Sequence, residues 1–184
     1  MYSKNNFWKF VVVASALLAV QSCFATDMID SVSGEFATGD KTKMLRIGVQ
    51  SDWSARWFQS NGTHLSGYWD ASIARWRGNA YRDVSGATQN ITDIGFTPVF
   101  RFQRDDKKAW YAEGGIGVHH LSDRYDNDGH QLSTRFQFGD HIGLGYVFDN
   151  RWELGMKIQH FSNGGYKKPN SGVDFIEVKA SYHF

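Results

Sequence analysis

This sequence is short of several things. It has one cysteine, Cys23, and two prolines, Pro98 and Pro169, in 184 residues. A single cysteine excludes a disulfide framework, and so little proline leaves few interruptions to long strands. Neither sign of charge is in excess, with 20 Lys+Arg against 19 Asp+Glu, so there is no basic field to attract nucleic acid by counterion release. Long apolar runs are scarce as well. Phe10–Val20 is the one extended stretch, shorter than the roughly 20 residues a membrane-spanning helix needs.

That run has Lys4 and Lys9 ahead of it and the small-residue exit Ser22-Cys-Phe-Ala25 behind it. This pattern predicts a secretory signal peptide over 1–25 and a single domain over 26–184. Cleavage after Ala25 would remove Cys23. It would also remove Lys4 and Lys9 but no acid, taking the formal charge from +1 to −1. A lipoprotein keeping Cys23 is the competing reading, and Gln21 sits badly in the small-residue box it requires.

What the sequence does have is glycine, 19 residues, and aromatics at 16%. From residue 26 onward the dominant period is two. Ile94, Phe96, Pro98, Phe100 and Phe102 alternate with Asp93, Gly95, Thr97, Arg101 and Gln103, and similar alternation runs through 108–120 and 132–148, where Asp140 breaks the apolar row. With 31–38, 43–53, 65–77, 151–162 and 172–184, about eight strands are predicted, separated by turn signals such as Gly39-Asp40, Asp105-Asp106 and Asp149-Asn150.

The predicted fold is all-β: an eight-stranded antiparallel transmembrane β-barrel, apolar outside, with a polar, glycine-lined interior. A soluble lipocalin-like barrel is the alternative. Strand length, aromatics near strand ends (Trp53, Trp110, Phe148, Trp152, Tyr182) and an alternating C-terminus closing on Phe184 favour the membrane type. Both chain ends would then lie on the periplasmic side, with loops 78–91, 121–131 and 163–171 outside. The internal charges Arg101, Glu113 and Arg135 are expected to pair with one another.

In strand 151–162, Trp152, Leu154, Met156 and Ile158 share the outward face, and His160 and Ser162 continue it. An ionisable residue on a lipid-facing wall suggests function. A serine needs a base such as histidine to take its proton, and that base needs an acid to orient it. In the final strand Asp174 is in phase with the outward Ile176 and Val178, whereas Glu177 is in phase with Lys179 and Ser181. Spacing alone leaves open that His160 and Ser162 only mark the end of the apolar belt.

The run His160-Phe-Ser-Asn-Gly-Gly165, continuing through Lys168-Pro-Asn170 and Gly172, resembles the signature region of the lipid A 3-O-deacylases. The similarity extends through His64–Ala71, Thr97–Phe100, Glu113–Val118, Phe136–Asp140 and Gly143–Gly145. The resemblance implies a bacterial outer-membrane serine esterase with its active site facing the outer leaflet. It would release a 3-hydroxy fatty acid from the 3-position of lipid A in lipopolysaccharide. It implies Ser162 as nucleophile, His160 as base and Asp174 as the acid, where the family usually has Glu. Asn163 is implied in the oxyanion hole; the residues alone equally permit an ordinary loop-starting Asn.

No cofactor and no metal is expected, since His119 and His120 are adjacent on a strand and point to opposite faces. Lipopolysaccharide and outer-membrane lipids are the expected partners, and the sequence leaves homodimerisation open. Two rival functions need the same fold: a non-catalytic barrel for adhesion or packing, and another lipid A-modifying enzyme that passes the acyl group to a lipid acceptor.

Overall fold

The computed structural model describes residues 28–184; the expected signal peptide, with Cys23, lies outside the described residues. The strands are β1 (Ser31–Gly39), β2 (Thr42–Asp52), β3 (Trp57–Ser60), β4 (Thr63–Gly78), β5 (Gln89–Arg104), β6 (Ala109–Leu121), β7 (Asp126–Asn127), β8 (His130–Gln131), β9 (Phe136–Val147), β10 (Trp152–Ser162) and β11 (Val173–His183). The eight long ones run antiparallel in the order β1-β2-β4-β5-β6-β9-β10-β11, and β11 pairs back onto β1, so the sheet closes. Closure leaves no sheet edge to satisfy, which a strand-built membrane protein requires. β3 folds back on β4, and β7 and β8 form a small hairpin in the loop between β6 and β9.

The barrel is apolar outside and charged within. Ile142 and Leu144 are 71% and 63% exposed on the outer wall, while Glu153 and Glu177 are fully buried in the lumen. Buried charge persists only when paired, and here it is paired repeatedly. Arg46 bridges Glu35 and Asp70. Lys157 reaches Glu35 at 2.7 Å and Glu177 at 3.3 Å. Arg101 holds Glu113 at 2.6 Å and Glu153 at 2.8 Å, and Lys179 meets Glu153 at 3.1 Å. Arg135, expected among these charges, is instead exposed. The strand predicted over 132–148 begins only at Phe136, and Arg135 precedes it in the loop, its carbonyl accepting the Leu121 N–H.

The lumen is not polar throughout. Toward the ends of β4, β10 and β11 nearest the longer loops, Trp76, Phe161 and Phe175 turn inward and pack at right-angle-like tilts, with Trp76 4.7 Å from Phe161 and 5.0 Å from Phe175. Met44, Ile91, Leu121, Tyr125 and Leu132 complete this apolar plug. Such edge-to-face aromatic contacts add to the area they bury. At the opposite end the outer wall carries aromatics, including Trp110 against Tyr146 and Trp152 against Tyr182, as an interfacial girdle requires.

Candidate active site

β10 alternates strictly, so the outward row from Trp152 to Ile158 continues to His160 and Ser162 while Phe161 enters the plug. The β10–β11 register sets His160 directly opposite Asp174, a separation at which side chains across the pair meet. His160 Nδ1 and Asp174 Oδ1 are 2.6 Å apart. With the carboxylate accepting from Nδ1–H, the neutral ring is held in the tautomer that presents the Nε2 lone pair, the one a general base needs. Glu177, three residues on, lies on the other side of the sheet beside Lys157.

Ser162 ends β10, one residue beyond the last β10–β11 pair, Phe161 with Val173. Same-face neighbours on a strand have Cα atoms roughly 6.8 Å apart, so the His160 and Ser162 side chains lean over common ground. Among the described residues the hydrogen bond at Ser162 Oγ comes from the Gly164 N–H, at 3.4 Å, and none joins it to His160. Catalytic hydrogen bonds without substrate are commonly this loose.

Asn163 faces the other way and is buried. Its Nδ2 donates to Ser133 Oγ (3.3 Å) and to the Lys167 carbonyl (2.8 Å), and its Oδ1 accepts the Gly165 N–H at 3.0 Å. Its own N–H donates to Asn170 Oδ1 at 3.0 Å. The side chain is therefore committed to tying the 163–170 loop. Gly164 and Gly165 follow with φ of 65° and 79°, a region glycine enters freely.

Three residues at the site, Gly172, His130 and Asp140, were given no role from the sequence. Gly172, at φ 75°, lies against the imidazole: a Cβ there would stand 2.6 Å from His160 Cε1. His130 Nδ1 donates to the Gly172 carbonyl at 3.0 Å, fixing that approach. Asp140 is opposite His160 on β9, also facing outward; its sequence signal was the break it makes in the apolar row. Beneath this polar row come the rows Ile142–Ile158–Ile176 and Leu144–Met156–Val178. They line an open furrow of ≈ 1170 Å³ that reaches Trp110 and Tyr146. Of the adjacent histidines, His119 turns inward onto Asp93 at 3.0 Å, and His120 faces out.

A closed, inside-out barrel of eight strands with a polar island on its outer wall defines a small membrane β-barrel. Similar solved structures share this architecture. A crystal structure of the outer membrane enzyme PagL superposes with a TM-score of 0.72 at 27% identity, covering 84% of this chain and 99% of that one. Neisserial surface protein A shares the fold, with a TM-score of 0.50 at 11% identity, over 84% of this chain and 94% of its own. The family model for lipid A 3-O-deacylase (PagL) matches residues 43–183. The lipid A deacylase PagL of Pseudomonas aeruginosa is 33% identical over 165 residues, 89% of this chain and 90% of that protein. Its counterpart in Bordetella bronchiseptica is 29% identical over 185 residues, 100% and 99% of the two chains. This chain belongs to the lipid A 3-O-deacylase (PagL) family and is an outer-membrane β-barrel.

Proposed function

We propose that this protein is a lipid A 3-O-deacylase that works as a serine esterase, with Ser162 as nucleophile, His160 as base and Asp174 as the acid that orients it. The observation that carries the reading is the His160–Asp174 hydrogen bond on the outward face, one same-face step from Ser162 and directly above an apolar furrow. An ester held at that boundary keeps its acyl chain in the furrow and its sugar among the headgroups, so the lipid need not leave the membrane. The loop end of the barrel then lies in the outer leaflet.

In the first half-reaction Ser162 Oγ attacks the carbonyl carbon of the 3-linked ester as its proton passes to His160 Nε2. Negative charge develops on the carbonyl oxygen. The Gly164 N–H, already directed at Ser162 Oγ, is the donor best sited to receive it. Asn163 serves the oxyanion hole by holding the turn that presents this amide. The C–O bond to the sugar breaks, His160 returns the proton to the sugar oxygen, and the acyl group stays on Ser162. Water, deprotonated by His160, then attacks the acyl-serine; the 3-hydroxy fatty acid leaves and the proton returns to Ser162.

The test is turnover of lipid A by the purified protein in detergent containing ¹⁸O-water. Hydrolysis puts one ¹⁸O into the released 3-hydroxy fatty acid. Transfer of the unlabelled acyl group to another lipid would make the protein an acyltransferase, and unaltered lipid A would leave a non-catalytic barrel.

The acid has its own test. Asp174→Asn is expected to lower kcat about 10–100-fold, less than for a fully buried triad acid, because this carboxylate is open on the outer wall. Asp174→Glu should retain most activity. Glu177→Gln should leave kcat unchanged in the folded fraction, and a loss there matching that of Asp174→Asn would transfer the role to Glu177.

A further inference from the structure

Away from the site, the outer wall has one concentration of charge that the proposed reaction does not use. Lys43 on β2 is in register with Arg77 on β4, which is in register with Asn90 on β5. One outward row below, Arg75 lies between Leu45 and Thr92. Arg75 Nη1 donates to Thr92 Oγ1 at 2.9 Å, which leaves the rest of its guanidinium free to point outward. All three cations are exposed, and none has a carboxylate partner among the described residues. Among the described strand residues that face outward they are the only Lys or Arg at the loop end of the barrel.

Immediately beneath them the wall turns apolar, with the row Ile47–Ile73–Ile94 and then Val49–Ala71–Phe96. Three like charges on neighbouring strands repel one another unless an anion lies between them. A free phosphate would have no use for the apolar wall below. A lipid with its phosphate at the cations and its chains down the isoleucine rows satisfies both halves of the surface. Around the ring, β4 is separated from β10 by three strands in either direction, so this surface lies diametrically across the barrel from Ser162.

We propose that Lys43, Arg75 and Arg77 form a second, non-catalytic lipid A site, which docks the phosphate of an outer-leaflet lipid A molecule on the wall opposite the active site. The proposal rests on the orientation adopted above, with the loop end in the outer leaflet. It gives the barrel one lipid A to act on and another that packs against its back, in the class of lipid the family recognises.

Native mass spectrometry of the Ser162→Ala protein in detergent, titrated with lipid A, tests this without turnover. Two bound lipids are expected with the wall intact. The triple variant Lys43→Gln/Arg75→Gln/Arg77→Gln should weaken the second by about a hundred-fold, and dephosphorylated lipid A should reproduce that loss. Arg75→Lys/Arg77→Lys should keep the second lipid, showing that charge and not a folding defect is read. With Ser162 present, the triple variant should deacylate at the wild-type kcat. A single bound lipid with the wall intact, or a second lipid indifferent to the triple variant or to dephosphorylation, overturns the proposal. So does phosphatidylglycerol binding there as tightly as lipid A. If the wild type fails to deacylate, the proposed reaction falls on that result, while the stoichiometry still decides this site.

Discussion

Replacing Ser162 by Ala is expected to lower deacylation by about a thousand-fold or more, to the level left by binding and oxyanion contacts alone. The reason is local. Ser162 is the hydroxyl on the outward face next to the His160–Asp174 pair, and among the described residues the Gly164 N–H is its one hydrogen-bond partner. The hydroxyl supports no strand pairing, so its removal should leave the barrel intact and affect the reaction alone. Lipid A from cells making either protein at matched surface levels would be compared by mass spectrometry. One 3-hydroxyacyl group should be missing with wild type and retained with the variant. His160→Ala should cost about as much, and the double variant little more than either single one, because residues that act as a unit lose their joint effect once. Additive losses would mean that the two side chains do not share a proton, and the triad reading would fall.

Much of the barrel was legible because the sheet has a period of two and the membrane enforces it. The predicted strands 43–53, 151–162 and 172–184 differ from Thr42–Asp52, Trp152–Ser162 and Val173–His183 by a residue or so at each end. The misses have separate causes. Leu132 continues an alternating pattern, yet it is buried in the plug and bridged to Asn170, so 132–135 belongs to the loop and Arg135 comes out into solvent. Trp57–Ser60 has no alternation to find. The plug itself was hidden by the assumption that inward means polar: the parity of strands 151–162 and 172–184 puts Phe161 and Phe175 inward, but no local rule says that the loop end of the lumen is filled with aromatics.

At the site, parity separated the two acids. Asp174 and Glu177 do lie on opposite sides of the sheet, and the register supplies the distance to His160 that no pattern could give. Two features were invisible. The engagement of Asn163 depends on Ser133, 30 residues away, and on the fold of its own loop. The need for glycine at 172 depends on where one imidazole comes to lie. Both are properties of chain segments meeting in space, and sequence periodicity carries none of that information.

The lumenal charges give the largest expected effect on stability, and Arg101 is the residue to change. It donates to Glu113 at 2.6 Å and to Glu153 at 2.8 Å, and its guanidinium lies 3.9 Å from the ring centroid of Tyr111. Arg101→Met keeps much of the volume but leaves Glu113 to Lys179 at 3.8 Å and the Tyr68 hydroxyl, and Glu153 to Lys179 at 3.1 Å, the Tyr111 hydroxyl and His183. Breaking a buried ion network on one side typically costs about 3–5 kcal/mol, because a desolvated charge loses its partner. The loss should appear as a lower urea midpoint for the heat-modifiable barrel band. Adding Glu113→Gln to Arg101→Met should recover a good part of it, since one buried carboxylate, Glu153, then remains for one buried cation, Lys179, at 3.1 Å. Arg104→Met is the control. Arg104 meets Asp106 at 3.5 Å at an exposed turn, and screened surface pairs contribute little, so no shift in midpoint is expected. If Arg101→Met were as mild as Arg104→Met, the lumen would be wet enough to solvate its own charges, and the barrel would have to be described as a water-filled tube and not as a packed core.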